Sequence, residues 1–403
     1  MMPMKRILFT ALFLVLSSAL AFDAGAQSDG WVTTWATALQ VAEPHNNPPE
    51  PYLENNSFRQ IVQVSIAGKQ LRLHLSNIFN EDDTEIKGVE IAVATTMGAS
   101  PEIIGKTSRE LTFNGQRSVT MKPGEEIVSD PVKFKVEERM NLAVTIHYGS
   151  VSHTCLTSHP GSRTNSYIAL GNTTDFSNPA AMTEHWYTIS SIDVIPRKPA
   201  AAVCVLGDSI TDGRGTTTNG QNRWTDQLSK NLLAHGLNLS VLNFGLGGNC
   251  ILRGGLGPTG QSRYQRDLFD KCGVKYIILF EGVNDLGSSR DGLATAEEIK
   301  KVWSQVVSEA HGKGIKVFGA TVTAFKGNGY YRGNHEEGRK ALNDWIRTCG
   351  LFDAVIDFDA MTRDGADPER LNPEFLYQND WLHLNAAGYE KMGWGIDVDL
   401  FRQ

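Results

Sequence analysis

Ser209 follows an apolar run, Val203–Leu206, through Gly207 and Asp208, so its hydroxyl stands at the end of a segment suited to a buried strand. A serine hydroxyl is a poor nucleophile until a base takes its proton. His383 can be that base, because imidazole titrates near neutral pH. Asp380, shortly before it, can hold the other ring nitrogen and stabilise the imidazolium. Attack on a carbonyl puts negative charge on its oxygen, and that charge needs N–H donors aimed at it. The Ser209 amide is one. A glycine amide from Asn243-Phe244-Gly245-Leu246-Gly247-Gly248-Asn249 is another, since glycine allows close approach and tolerates φ > 0. The side-chain amide of Asn284, in Gly282-Val283-Asn284-Asp285, is the third. Asp208 and Asp285 read as structural hydrogen-bonders rather than acid/base groups.

Each of these segments has an ordinary reading when taken alone. A serine after a strand can cap a helix, and Asn-Asp can simply turn the chain. Their common placement is what argues for chemistry. From Ala201 onward apolar strands are expected near Val203–Leu206, Ser240–Asn243, Tyr276–Phe280, Lys316–Gly319 and Ala354–Ile356. Amphipathic helices separate them. Trp224, Leu228 and Leu232 repeat at helical spacing before Gly236; Thr295 with Glu298 reads as a capping box; Leu342, Trp345 and Ile346 mark a further helix. Asn385 reads as the cap of the last helix, fixing His383 beside a rigid element. Alternating βα units require crossovers and so a parallel sheet. The chemical segments follow the carboxyl ends of such strands, where open α/β sheets bind their ligands.

The first half reads differently. Leu71, Leu73 and Leu75 alternate with Arg72 and His74; Val89, Ile91 and Val93 alternate likewise, as do Leu142, Val144 and Ile146. Turn signals such as Lys122-Pro123-Gly124 punctuate these runs. The pattern predicts an all-β sandwich, jelly-roll-like, over residues 27–195. Pro196-Arg197-Lys198-Pro199 opens a linker at 196–200, and residues 201–403 form the α/β domain.

Composition narrows the classes. The 403 residues are 41% hydrophobic and 21% charged, enough to fill real cores. A net charge of −7 with no basic run excludes a nucleic-acid partner. Lys5 and Arg6, the apolar stretch from Ile7 to Phe22 and the small residues Ala24-Gly25-Ala26 predict a signal peptide over 1–26. The expected location is therefore exported, periplasmic or extracellular, with no membrane span after cleavage. Cys155, Cys204, Cys250, Cys272 and Cys349 show no framework, and their pairing is left open. No metal or cofactor is expected. Gly255-Leu256-Gly257-Pro258-Thr259-Gly260 fits a dinucleotide fingerprint only formally, because Pro258 interrupts it and no strand feeds it. Tyr330, Tyr331 and Arg332 read equally as pocket lining or as an ordinary loop.

Gly207-Asp208-Ser209, the Gly-rich second segment, Gly282-x-Asn284-Asp285 and Asp380-x-x-His383 resemble, in order, the four blocks of the SGNH/GDSL hydrolase superfamily. The resemblance covers roughly the last half of the chain. It implies a flavodoxin-like three-layer α/β/α domain and metal-free hydrolysis of esters or thioesters. It also implies Ser209, Asp380 and His383 as catalytic residues, and Ser209, Gly248 and Asn284 as the oxyanion hole. Gly248 is preferred to Gly247 because it precedes Asn249, as in the family's Gly-Asn pairing. Trp31-Val32-Thr33-Thr34-Trp35-Ala36, Arg59-Gln60-Ile61-Val62 and Leu75-Ser76-Asn77 resemble the β-rich leader of some exported bacterial GDSL esterases. Several relatives of that two-part build act on acylated, often acetylated, polysaccharides, which is what this resemblance implies. The expected partner is thus an acylated carbohydrate or another small ester. A lipid esterase or lysophospholipase is the enzymatic alternative, and a non-catalytic glycan-binding protein the alternative of another class. Oligomeric state is not legible.

Overall fold

The computed structural model describes residues 30–402. The expected signal peptide lies outside the described residues. The second half is built on a five-stranded parallel sheet: β1 (Ala201–Gly207), β2 (Leu239–Gly245), β3 (Val274–Phe280), β4 (Lys316–Ala320) and β5 (Ala354–Ile356). Its order is β2-β1-β3-β4-β5, a doubly wound order whose switch point lies at β1 and β3.

The helices follow the sequence pattern with one exception. A short turn of helix, α1 (Ser209–Asp212), follows β1, and α2 (Trp224–Ala234) leads into β2. Trp224, Leu228 and Leu232 are all fully buried, and Trp224 packs edge-on against Phe280 and Phe358. Burying each such side chain contributes about 1.5–3 kcal/mol. A short α3 (Val283–Gly287) follows β3, and α4 (Gly292–Gly312) precedes β4. The expected capping box on Thr295 and Glu298 does not form. Asp291 caps α4 by accepting from the Ala294 amide at 3.0 Å, and Thr295 lies inside the helix with its hydroxyl on Asp291 O. An aspartate available four residues earlier outcompetes the threonine, and Glu298 instead pairs with Arg253. Helix α5 (Gly333–Thr348) carries Leu342, Trp345 and Ile346, and α6 (Ala386–Gly395) starts at Asn385, whose side chain accepts from the Gly388 amide at 3.0 Å. Helices α2 and α6 pack together, as do α4 and α5.

The first half contains antiparallel sheets. One orders Val32–Ala36, Ile189–Pro196, Gly68–Ser76 and Glu126–Val128, with Val132–Val136 also on Gly68–Ser76. Another orders Ala181–Thr183, Ser166–Ala169, Ser57–Gln63, Asn141–Tyr148, Thr84–Val93 and Arg109–Leu111, with Val119–Met121 also on Thr84–Val93. A small sheet joins Trp186–Tyr187, Thr157–His159 and Gln40–Val41. Leu71, Leu73, Leu75, Val89, Ile91, Leu142, Val144 and Ile146 are all fully buried in one apolar core, while Val93 is only partly buried against it. All five cysteines are free thiols.

The halves are packed, not merely tethered. Strand β2 lies at the sheet's edge, and the first half covers it. Ser240 Oγ donates to Thr33 O at 2.6 Å, the Val241 amide donates to Ser65 Oγ at 3.2 Å, and Thr37 bridges Asn243. Covering an edge this way satisfies backbone groups that would otherwise invite aggregation. A second contact reaches α1 directly: His159 and Arg163 both bond the buried Asp212 carboxylate, at 3.0 and 3.2 Å.

Candidate active site

The candidate residues come from the segments that leave β1, β2 and β3 and from the turn before α6. Ser209 opens α1, its amide freed from strand pairing while Asp208 caps the turn by accepting from the Ile210 amide at 2.9 Å. His383 lies just before α6. The Ser209 Oγ to His383 Nε2 distance is 2.8 Å, and His383 Nδ1 lies 2.7 Å from Asp380 Oδ2. The other carboxylate oxygen accepts the backbone amides of Leu382 and His383, both at 2.9 Å. Burial raises the Asp380 pKa, but the bonds from the His383 ring and from the two amides outweigh it, so the carboxyl titrates below its ordinary range. An ionised carboxylate only accepts, so Nδ1 carries the proton and Nε2 is the acceptor facing the serine. Ser209 and His383 are 6% and 8% exposed, enough for a substrate carbonyl to reach them from one side. The turn carrying Asp380 is strained: Gln378, Asn379 and Trp381 all adopt positive φ.

Asn284 projects from α3 and is buried; its Nδ2 donates to Asn249 O at 2.8 Å. Gly248 has φ +67°, and a Cβ there would press on Leu256 at 3.1 Å, so the position needs glycine. Gly247 has ordinary φ, and a Cβ on it would lie 3.7 Å from Asp212 Oδ2. Gly248 O accepts from the Leu256 amide. Asp285 accepts the amides of Ile251 and Leu252, at 2.8 and 3.0 Å, and so holds the loop after β2.

Sequence reasoning missed the residue that braces these segments. Arg263, buried at 1% exposure, donates to Gly207 O at 2.9 Å, Phe244 O at 2.8 Å, Asn249 Oδ1 at 3.0 Å and Asp267 Oδ2 at 2.9 Å. One guanidinium thus ties the ends of β1 and β2 to Asn249. Its fork of donors suits this task and an ammonium would not. No local pattern marks it, because its partners lie on three other segments.

Buried carboxyls underlie the site. Burial pushes Asp208 up to about 7, with Asp285 and Asp212 adding and the Ile210 amide and Arg263 opposing. Burial likewise lifts Asp285 to about 6, against its backbone hydrogen bonds. Glu281 is pushed up to about 8 by burial, with Arg263 opposing and Asp208, Asp285 and Asp267 adding. Neither Glu281 carboxyl oxygen has a hydrogen-bond partner among the described residues. The folded chain therefore keeps a proton on Glu281 that the unfolded chain, at a pKa of about 4.3, gives up. The stability this lends is complete below that unfolded value and is lost as pH rises through about 8. Glu281→Gln keeps the shape without the titration. It is expected to flatten the fall in melting temperature across that window; parallel Tm–pH curves for the two proteins would contradict the assignment.

Residues 205–391 match the GDSL-like lipase/acylhydrolase family. No curated protein matches the chain. Among solved structures, a carbohydrate acetylesterase from Sinorhizobium meliloti is 19% identical, with a TM-score of 0.38, over 50% of this chain and 98% of that one. A lipase/acylhydrolase from Enterococcus faecalis is 24% identical, with a TM-score of 0.39, over 50% and 94%. An aryl esterase from M. smegmatis is 17% identical, with a TM-score of 0.39, over 50% and 98%. The assignment rests on the family match rather than on these likenesses. Through residues 205–391 the chain belongs to the SGNH/GDSL hydrolase superfamily and is a carboxylic ester hydrolase of that type.

Proposed function

We propose that Ser209, His383 and Asp380 hydrolyse esters as a triad, with the Ser209 amide, the Gly248 amide and the Asn284 side chain as the oxyanion hole. The observation that carries this is the unbroken hydrogen-bonded series from Ser209 Oγ through His383 to Asp380, at 2.8 and 2.7 Å. His383 Nε2 takes the hydroxyl proton as Ser209 Oγ attacks the ester carbonyl. Charge gathers on the carbonyl oxygen, where the three donors stabilise it. The intermediate collapses to an acyl-enzyme as His383 returns its proton to the departing alcohol. Water, deprotonated by His383, then releases the acid and restores Ser209.

The substrate we propose is a short acyl ester, above all an acetyl group, on a polysaccharide or oligosaccharide. In this reading the acyl pocket is lined by the small or polar residues Asp208, Gly247, Gly248 and Asn284, with the exposed Leu256 laid against Gly248. A long acyl chain needs a continuous apolar channel. The wider reading keeps a β-sandwich of jelly-roll type over 27–195, a linker at 196–200 and a flavodoxin-like three-layer domain over 201–403. It also has the chain exported, supported by Lys5, Arg6 and the apolar stretch behind them.

Two measurements test the reading. Rates on acetyl, butyryl and long-chain aryl esters, followed by acetate release from acetylated polysaccharides, should favour acetyl and yield acetate. Preference for long chains would replace the carbohydrate reading with a lipid one. Asn284→Ala should lower kcat on an aryl acetate by on the order of 10²–10³ with the fold intact. A full-rate variant would remove Asn284 from the oxyanion hole.

A further inference from the structure

The loop between β4 and α5 reaches the site through the side chains of Tyr330 and Asn328. Tyr330 donates its hydroxyl to Asn284 Oδ1 at 3.1 Å, and Asn284 Nδ2 donates to Asn249 O at 2.8 Å. Together these bonds leave the amide a single orientation. Turned over, its oxygen would face the Asn249 carbonyl, and two acceptors in contact with one bond lost are costly. One N–H of Nδ2 is engaged by Asn249; the other meets no acceptor among the described residues.

We infer that Tyr330 is a positioning residue for the oxyanion hole, its phenolic O–H locking the Asn284 amide so that the unengaged N–H faces the carbonyl oxygen under attack. The inference rests on the reading of Asn284 as an oxyanion donor. Accepting the Tyr330 proton also polarises the amide, which strengthens its N–H as a donor.

Tyr330 is itself held on several sides. Its ring packs on Gly287 of α3, where a Cβ would stand 2.3 Å from the ring, so only glycine leaves it room. Its amide donates to Asn328 Oδ1 at 2.9 Å, and its carbonyl accepts from His335 Nδ1 at 2.6 Å. Asn328 Nδ2 in turn donates to Asp380 O at 2.7 Å, so the same loop touches the turn that carries the carboxylate. Burial, with Cys250 and Asp208 adding, holds the phenol above its ordinary pKa, and the hydroxyl keeps its proton.

The test is a double-mutant cycle on an aryl acetate with Tyr330→Phe, Asn284→Ala and the combination. Phenylalanine keeps the ring and its packing on Gly287, and unchanged melting temperatures confirm intact folds. Tyr330→Phe is expected to lower kcat about 3- to 10-fold, the worth of one neutral hydrogen bond, with KM little changed. In the Asn284→Ala background the same change is expected to do nothing more, because the amide it orients is gone. An equal loss in both backgrounds, or a raised KM at unchanged kcat, would overturn the inference while leaving Asn284 in its role. A full-rate Asn284→Ala would instead remove the reading beneath it.

Discussion

Ser209→Ala is expected to lose on the order of 10⁶ in kcat on an aryl acetate while melting at the wild-type temperature. The size follows from what the hydroxyl supplies. Without it there is no acyl-enzyme, because His383 has no hydroxyl to activate against the ester carbonyl. The fold does not depend on that oxygen. The bond that fixes α1 is the Asp208 cap on the Ile210 amide, which alanine leaves untouched. Residual turnover comes from binding and from the oxyanion donors. Activity within tenfold of wild type, measured on protein free of carried-over enzyme, would place the nucleophile elsewhere.

Asp380→Asn is expected to cost about 10⁴ in kcat, the loss that accompanies a wrong imidazole tautomer. The local geometry makes this expectation sharp. Asp380 Oδ1 accepts two backbone amides, from Leu382 and His383. An asparagine must keep its carbonyl on those donors, so its NH₂ faces His383 Nδ1. That nitrogen must then be the acceptor, and the ring proton moves to Nε2, against the Ser209 oxygen. The base is occupied at the atom where it is needed. The variant should retain its melting temperature, because both backbone bonds survive. A loss of less than about tenfold would mean that Asp380 does not set the tautomer in the transition state.

Local features of the site were legible in the sequence; its long-range bracing was not. Ser209 could be read because an apolar run ends one turn before it, and His383 because Asn385 marks a helix start just behind it. Leu71, Leu73 and Leu75 could be read because strand alternation assigns a face without knowledge of any partner. Arg263 could not, since what makes it matter is a set of carbonyl and amide oxygens on strands distant in the sequence. Glu281 had the same disguise: it directly follows the apolar strand Val274–Phe280, and its altered titration arises from burial. His159 and Arg163 carry no local signal; their role arises only where the first half folds against Asp212. Thr295 and Glu298 fitted a capping box by spacing, and lost to Asp291 because capping is a competition among neighbours. Tyr330 was visible as an aromatic in a Gly-rich loop, but its contact with Asn284 depends on how that loop returns to α3.

In the proposed mechanism Ser209 becomes covalently bonded to the substrate's acyl carbon. Treating the enzyme with an organophosphate ester, which traps an activated serine, and mapping the adduct by peptide mass spectrometry tests this. The expected result is one equivalent on the peptide containing Ser209, loss of activity in step with labelling, and no labelling of Ser209→Ala or of enzyme whose His383 is replaced by alanine. An adduct on another residue, or full inactivation with Ser209 unmodified, would contradict it.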